Sequence, residues 1–415
     1  MKDVGIVGGG IIGLCAAWYL QEAGCTVTII DKNNGQEGCS FGNAGMIVPS
    51  HIIPLATPGM IAKGIGWLFN SQSPFYIKPG LSKELLNWGW RFYRSATNEN
   101  VKKAIPHLRD ISLLSRALYK ELSENPDLDF ELHERGLLML YKTAKTEKEE
   151  IEAAEVANHA GVKAEVLSPA QVQALEPDMA VNVRGGIYFP GDAHLVPRSF
   201  MNALQRALVK KGVRFVSDQT VDAFETAHRR VQKVVTAQEA FAFDAVVVAG
   251  GVWSAALVKK LRVNLPMQGG KGYSFMLPNW GNRLRIPSLL LDHRVAVTPM
   301  NSELRLGGTM EIGSLQDKIN LNRVKGIAEA VPQYYPELKV EVPAIQQIWH
   351  GFRPCSPDGL PYIGQLTHLE NVVVATGHGM MGLSLAPATG KLVSELLLHR
   401  PASMNLEAFH PERFD

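Results

Sequence analysis

Gly8, Gly10 and Gly13 stand in the spacing GxGxxG, and a carboxylate follows at Asp31, 18 residues after the last glycine. That pattern can hold a dinucleotide. Glycine at 8 permits a tight turn, glycine at 10 lets the backbone approach a pyrophosphate, and glycine at 13 lets the next helix pack closely on its strand. The helix opens with Ile11 and Ile12, where free N–H groups and the positive end of the dipole attract phosphate oxygens. Asp31 is expected to accept hydrogen bonds from a ribose hydroxyl, and its charge disfavours a 2′-phosphate there. Lys32, next in the chain, is counted with the same ligand-binding residues.

A second GxGxxG runs from Gly377 to Gly382, again after a strand-like run and before a helical one. Only 33 residues follow Gly382, and no later strand ends in an acidic residue. This segment is therefore expected to serve one end of a ligand already held by the first motif. A helix N-terminus suits the negative charge that a reduced flavin carries at N1 and C2=O, which points to FAD rather than NAD. A flavin can take a hydride at N5 from a carbon bearing an amine, and the resulting imine hydrolyses to a 2-oxo acid and ammonia. The cofactor supplies the hard step and the protein the orientation. No obvious catalytic dyad is present, and none is required when the reacting amine is neutral.

The elements that must position these groups are legible in outline. Val4–Val7, Ile12–Gly24 and Thr26–Ile30 read as strand, helix and strand, a βαβ unit. Helices are expected at Val101–Leu122, Thr146–Ala160, Pro197–Lys211, Asn320–Ala330 and Leu385–His399. Strands are expected at Gly136–Tyr141, Gly186–Phe189, Val213–Ser217, Phe243–Val248 and Asn371–Ala375, with antiparallel strands across 261–345. This order predicts a nucleotide domain assembled from 1–50, 195–260 and 345–415, and a substrate domain from 51–194 and 261–344.

Composition narrows the class. The chain has 415 residues, 46% hydrophobic and 20% charged, which suits about two globular domains. A net charge of +2, with basic and acidic residues intermixed, argues against a nucleic-acid partner. Cys15, Cys25, Cys39 and Cys355 show no metal-ligand spacing and read as reduced thiols of a cytoplasmic protein. The apolar start, Val4–Leu20, superficially resembles a signal peptide, yet its spaced glycines and missing cleavage site read as structure. No uninterrupted apolar run is long enough to span a bilayer.

Here the motifs meet a known family. The chain resembles the D-amino-acid oxidase superfamily, most closely its bacterial D-amino-acid dehydrogenase branch. The resemblance rests on Ser40-Phe41-Gly42-Asn43-Ala44-Gly45-Met46, Pro54-Leu55-Ala56-Thr57-Pro58-Gly59, Lys271-Gly272-Tyr273-Ser274, Arg353 to Pro361, and Thr376-Gly377-His378-Gly379, in that order over nearly the whole chain. It implies an α/β FAD-binding Rossmann-like domain of the glutathione-reductase type, with an interleaved α+β substrate domain on an antiparallel sheet. It places Ser40, Asn43, Ala44, Gly45 and Met46 along the pyrophosphate and ring, and the backbone of Val221 at the adenine. Ala249 and Gly250 pass close to the cofactor, and Gly379, Met380, Met381 and Gly382 hold its pyrimidine edge. The sarcosine-oxidase branch attaches its flavin to a cysteine near this region. Cys355 is out of register with that point, so non-covalent FAD is expected, with Cys355 a small packing residue.

The resemblance also sets Arg353 over the flavin face, where a guanidinium can grip a substrate carboxylate through two parallel hydrogen bonds. Tyr273 has two readings, a phenolic hydrogen bond to the same carboxylate or ordinary core packing. His51, His350, His378 and Lys271 are candidate substrate contacts weighed against structural roles, with His51 foremost because it follows the flavin-facing segment. The aromatic run through Trp67-Leu68-Phe69 and Trp88 to Tyr93 either packs the substrate domain or docks peripherally on the inner membrane, where the branch hands electrons to quinone. The leading expectation is oxidative deamination of a D-amino acid with an acceptor other than oxygen. Alternatives are a D-hydroxyproline or other cyclic secondary-amine dehydrogenase, a glycine or sarcosine oxidase, and, from another class, a flavin-binding modification enzyme or non-catalytic module. No pattern in the chain points to a particular oligomeric state.

Overall fold

The computed structural model describes residues 2–33, 38–59, 75–77, 82–313 and 315–415. The Trp67-Leu68-Phe69 part of the aromatic run lies outside the described residues.

Short β-branched runs form a parallel sheet because both of its faces are covered and every side chain can be apolar. Asp3–Val7 sits between Thr26–Ile30 and Ala245–Val248, with Val7 opposite both Ile30 and Val248. Arg214–Val216 extends this sheet on one side and Val372–Thr376 on the other, both parallel, and Tyr362–Gln365 closes the edge antiparallel. The helices Ile11–Glu22, Pro197–Lys210 and Gly382–Leu397 share one apolar core against it, through residues such as Leu14, Phe200, Leu204 and Val393.

A second, larger sheet is mainly antiparallel. Its order runs from Trp349–Cys355 through Gln268–Leu277, Glu303–Gly313, Val295–Met300 and Ser288–Leu290 to Leu137–Tyr141, Gly185–Phe189 and Glu165–Leu167. The helix Leu321–Tyr334 packs beneath it on Tyr273, Phe275, Val297 and Leu306. The strands and helices expected from the sequence are present with ends shifted by a few residues. Thr97, for example, caps the long helix Asn98–Ser123 by accepting from the N–H of Asn100, which starts it ahead of Val101.

Three features differ from expectation. Val221–Ala227, Arg230–Thr236 and Ala240–Ala242 form a separate antiparallel sheet, turned at His228 and Arg229, both at positive φ. That turn hides from sequence because neither residue is the glycine or asparagine such hairpins favour. Trp349–Cys355, which a division at 345 assigns to the nucleotide domain, pairs along its length with Gln268–Leu277 of the larger sheet. The described aromatic residues also divide. Trp88 is buried and donates to the Cys355 carbonyl, while Trp90 and Tyr93 are exposed and stacked on each other. No described helix is long and apolar enough to cross a membrane.

Candidate active site

One continuous cavity of about 880 Å³ lies at the carboxyl ends of the parallel strands and runs on to the larger sheet. Crevices at such strand ends are where open α/β sheets bind ligands. Its floor is the first glycine motif. Gly8 adopts φ +117°, and a Cβ there would stand 2.5 Å from the Ala249 carbonyl oxygen. A Cβ on Gly13 would stand 1.9 Å from the Gly8 oxygen, so position 13 seats the helix and does not itself line the cavity. At Gly10 the nearest atom to an added Cβ is Ser40 Oγ at 3.7 Å, so protein does not fill that side. Asp31 Oδ2 accepts from the N–H of Gly9 at 2.6 Å and Oδ1 from that of Asn33 at 2.8 Å. Its carboxylate thereby anchors the turn as well as facing the cavity.

The second glycine motif arrives from the opposite side. Thr376 Oγ1 donates to the Gly251 carbonyl, and Cys355 bridges His378, which brings Arg353 and Gly379–Gly382 to the same wall. Both helices that begin at the cavity, Ile11–Glu22 and Gly382–Leu397, lack a side-chain cap and an acidic residue in the first turn. Two such N-termini turn their positive dipole ends toward one space, which favours an anionic ligand there.

Residues 39–45 tie the two sheets together. Ser40 Oγ accepts from the N–H of Ile11, the Cys39 thiol bonds to the backbone of Phe352, and the Gly42 carbonyl accepts from Ser274 Oγ. A Cβ on Gly42 would fall 2.0 Å from the Trp349 indole, so this strap can only lie flat as glycine. Asn43 Oδ1 accepts from the N–H of Gly45, whose φ of +77° completes the turn; Gly45 shapes the strap without lining the cavity. Ser40, Asn43, Ala44, Met46, Ile11, Ile12, Lys32, Val221, Ala249, Gly250, Met380 and Met381 all line it.

Arg353 and Tyr273 separate. Arg353 is half-buried on the cavity wall, donates Nη1 to the Thr309 carbonyl at 2.7 Å, and has no carboxylate partner among the described residues. Burial holds its basicity below that of an ordinary guanidinium. Tyr273 belongs to the core under helix Leu321–Tyr334; its hydroxyl donates to Glu311 Oε1 at 3.1 Å and accepts from the N–H of Asn320 at 3.2 Å. Burial raises its pKa further. Of the two readings of Tyr273, these bonds go with core packing: Arg353 pairs with Gly270, three positions before Tyr273 on the adjacent strand, and positions an odd number apart face opposite sides of the sheet. Lys271 is also committed, donating to the carbonyls of Gln316 and Lys318. His378 is buried against Thr389 Oγ1 at 3.0 Å, and burial takes its pKa down to about 3. His350 lies 3.4 Å from Asp317 and does not line the cavity.

His51 does line it. Its Nδ1 is 3.2 Å from Ser50 Oγ, which in turn lies 2.5 Å from Oδ2 of the buried Asp192. Asp192, Arg294 and Arg305 carry no local sequence signal; the adjacency of Ser50 and His51 was the one visible hint. Arg305 on the cavity wall donates to the Phe41 carbonyl, and burial with repulsion from Arg198 lowers its pKa to about 10. The cavity therefore offers two helix N-termini at one part and, at another, the Arg353 guanidinium with no carboxylate partner among the described residues, a space suited to a dinucleotide and a small carboxylate together.

Comparison with known proteins agrees with this geometry. Residues 3–396 match the family described as FAD dependent oxidoreductase. A D-amino acid dehydrogenase from Neisseria gonorrhoeae (strain NCCP11945) is 32% identical over 402 residues, covering 94% of each chain. Glycine oxidase from Geobacillus kaustophilus superposes with a TM-score of 0.80 at 24% identity, covering 100% of both chains. L-proline dehydrogenase from P. horikoshii does so with a TM-score of 0.77 at 18% identity, covering 100% of this chain and 97% of that one. The structural likenesses bear out the expected fold, and the cofactor of the matched family is one that the two helix N-termini facing the cavity fit. The chain belongs to the FAD dependent oxidoreductase family, as a flavoenzyme of the D-amino-acid oxidase superfamily whose motifs it carries.

Proposed function

We propose that the chain is an amino-acid dehydrogenase that oxidises the carbon bearing the amine of a D-amino acid, releasing a 2-oxo acid and passing electrons to an acceptor other than oxygen. The observation that carries this reading is Arg353, a half-buried guanidinium on the cavity wall whose one hydrogen-bond partner among the described residues is a backbone carbonyl. A partly desolvated cation with no carboxylate beside it among the described residues favours an anionic ligand, and the fork of a guanidinium matches a carboxylate. The D-amino acid dehydrogenase relative, similar over nearly its full length, supports the substrate class.

FAD, when bound, accepts the hydride. Gly8, Gly10 and the two helix ends would hold its phosphates and its pyrimidine edge, and Asp31 its ribose. Attachment is non-covalent in this reading. Burial lifts the Cys355 thiol to about 11, which makes it a poor nucleophile.

The test is to mix the purified yellow protein anaerobically with D- and L-amino acids, glycine, sarcosine and D-hydroxyproline. Bleaching by D-amino acids, turnover with an artificial acceptor and little turnover in air are expected. A flavin that none of them bleaches sinks the reading. Acid precipitation should leave the yellow colour in the supernatant. Arg353→Ala should raise KM for the bleaching substrate by about 100-fold or more, the loss expected for a charge-assisted bidentate contact. An unchanged KM removes Arg353 from the site.

A further inference from the structure

Asp192, Ser50 and His51 form a chain of groups that no motif announced. The N–H of Ser50 donates to Asp192 Oδ1 at 3.1 Å and its hydroxyl reaches Oδ2 at 2.5 Å, so one residue satisfies both carboxylate oxygens. The same hydroxyl oxygen lies 3.2 Å from His51 Nδ1. Asp192 is 1% exposed, whereas His51 keeps a partly open ring on the cavity wall, and its Nε2 has no partner among the described residues.

Counting protons sets the direction. An ionised Asp192 can only accept, so the Ser50 hydroxyl must donate to it. Ser50 Oγ is then an acceptor, and His51 Nδ1 must carry the ring proton. That leaves the lone pair on Nε2, the nitrogen without a partner. We propose that Asp192 and Ser50 fix His51 in the tautomer whose Nε2 accepts the proton of the substrate ammonium group.

This rests on the amine-oxidising reading above. The N–H bond of the ammonium breaks and its proton passes to Nε2, leaving a neutral amine with its electron pair free. That pair forms the C=N bond as the Cα–H bond breaks and the hydride, with two electrons, goes to bound FAD. The imidazolium keeps its Nδ1–H on Ser50 and is stabilised by the Asp192 charge beyond it, then returns its proton to solvent as product leaves.

The surroundings set the protonation states. Burial, reinforced by Arg294, lowers His51 to about 4, so the ring is neutral with a free lone pair, and it is a weak base that holds the ammonium proton only in passing. Burial raises Asp192 to about 7 against the opposing bonds from Ser50 and the more distant charge of Arg116. Once Asp192 is protonated it donates to Ser50, Ser50 donates to Nδ1, and Nε2 carries a hydrogen and can no longer accept. Base competence should therefore appear as pH rises through about 7. Glu150 is a further charged residue on the same wall.

Two measurements test this, and the first needs no substrate. In the FAD-loaded protein labelled with 15N-histidine, His51 should show Nδ1–H with an unprotonated Nε2 at pH 8, and Ser50→Ala should lose that preference. Wild-type His51 found as Nε2–H at pH 8 overturns the relay, whether or not any amine is oxidised.

The second is the rate of anaerobic flavin reduction by D-alanine and by D-proline across pH. Wild type should show a rising limb near the Asp192 transition, absent in Ser50→Ala. His51→Gln should fall roughly 100-fold at pH 8 and recover as pH rises through the ammonium pKa, where no base is needed. Asp192→Asn, if it folds, should also lose the limb. Profiles of Ser50→Ala and His51→Gln that parallel wild type at every pH would show these residues to be structural only.

Discussion

Gly390 of the C-terminal helix rests on the backbone of Cys15 in the first helix: a Cβ at 390 would stand 2.5 Å from the Cys15 carbonyl oxygen. The two helices whose N-termini face the cavity are thus held at backbone contact, glycine on one side meeting the Cys15–Ala16 backbone on the other. Gly390→Ala must push them apart, at a cost of about 1–3 kcal/mol for overpacking a filled core. The expected result is a lower thermal midpoint together with weaker FAD retention. Gly89→Ala is the control, because nothing lies within 4 Å of its added Cβ. Inside the helix Lys83–Ser95 it should stabilise, by about 0.5–1 kcal/mol. Equal midpoints for the two variants would contradict this account of the helix contact.

Asp31 holds the Gly9 and Asn33 amides while facing the cavity. Asp31→Ala should weaken FAD binding to apoprotein by about 10- to 100-fold, equivalent to the ~1.5–3 kcal/mol of a charged hydrogen-bond acceptor. Titration by flavin fluorescence measures it. FMN, which lacks the adenosine half, should lose much less; an equal loss would mean that Asp31 acts only through the turn.

Tyr273 and Arg353 offer a contrast between packing and recognition. Removing the Tyr273 hydroxyl leaves Glu311 and the Asn320 amide short of a partner, so Tyr273→Phe should cost about 1–2 kcal/mol in denaturant unfolding. KM for the substrate should stay within about two-fold, in contrast to the large rise expected for Arg353→Ala. A KM effect as large as that of Arg353 would put the phenol back at the carboxylate.

Glu176 is buried with its carboxylate on the N–H groups of Arg285 and Ile286, yet burial outweighs these bonds and lifts it to about 7 from an ordinary 4.5. The folded state therefore binds a proton that the unfolded chain has already released. Its contribution to stability is complete below about pH 4.5, declines through the window up to about 7, and is gone above it. Glu176→Gln does not titrate. Its midpoint relative to wild type should rise from pH 4.5 to 7 and then level off, by an amount on the order of 3 kcal/mol at most. A difference independent of pH would rule out protonation of Glu176 in the folded protein.

Much of the nucleotide fold was legible because its signals are local. A β-branched run, a glycine turn and a helical repeat occur within thirty-odd residues, and each element is dictated by backbone geometry that neighbours in sequence enforce. The Val221–Ala242 meander was not legible, since its turn at His228 and Arg229 uses no favoured turn residue. The placement of Trp349–Cys355 escaped too, because a strand's sheet is decided by partners far away in the chain.

By itself the sequence determined the dinucleotide turn and the helix at Gly382 through spacing, and the resemblance carried by its motifs singled out Arg353 as a candidate clamp. Tertiary structure decided which of the candidates meet. Gly270 pairs with Arg353, and Tyr273 stands three positions further along the same strand as Gly270, so the guanidinium and the phenol take opposite faces of the sheet. Asp192 reaches Ser50 across 142 residues, and only folding could bring that carboxylate to the histidine's neighbour. Side-chain type sets what a residue can do, but strand register and long-range packing set what it faces.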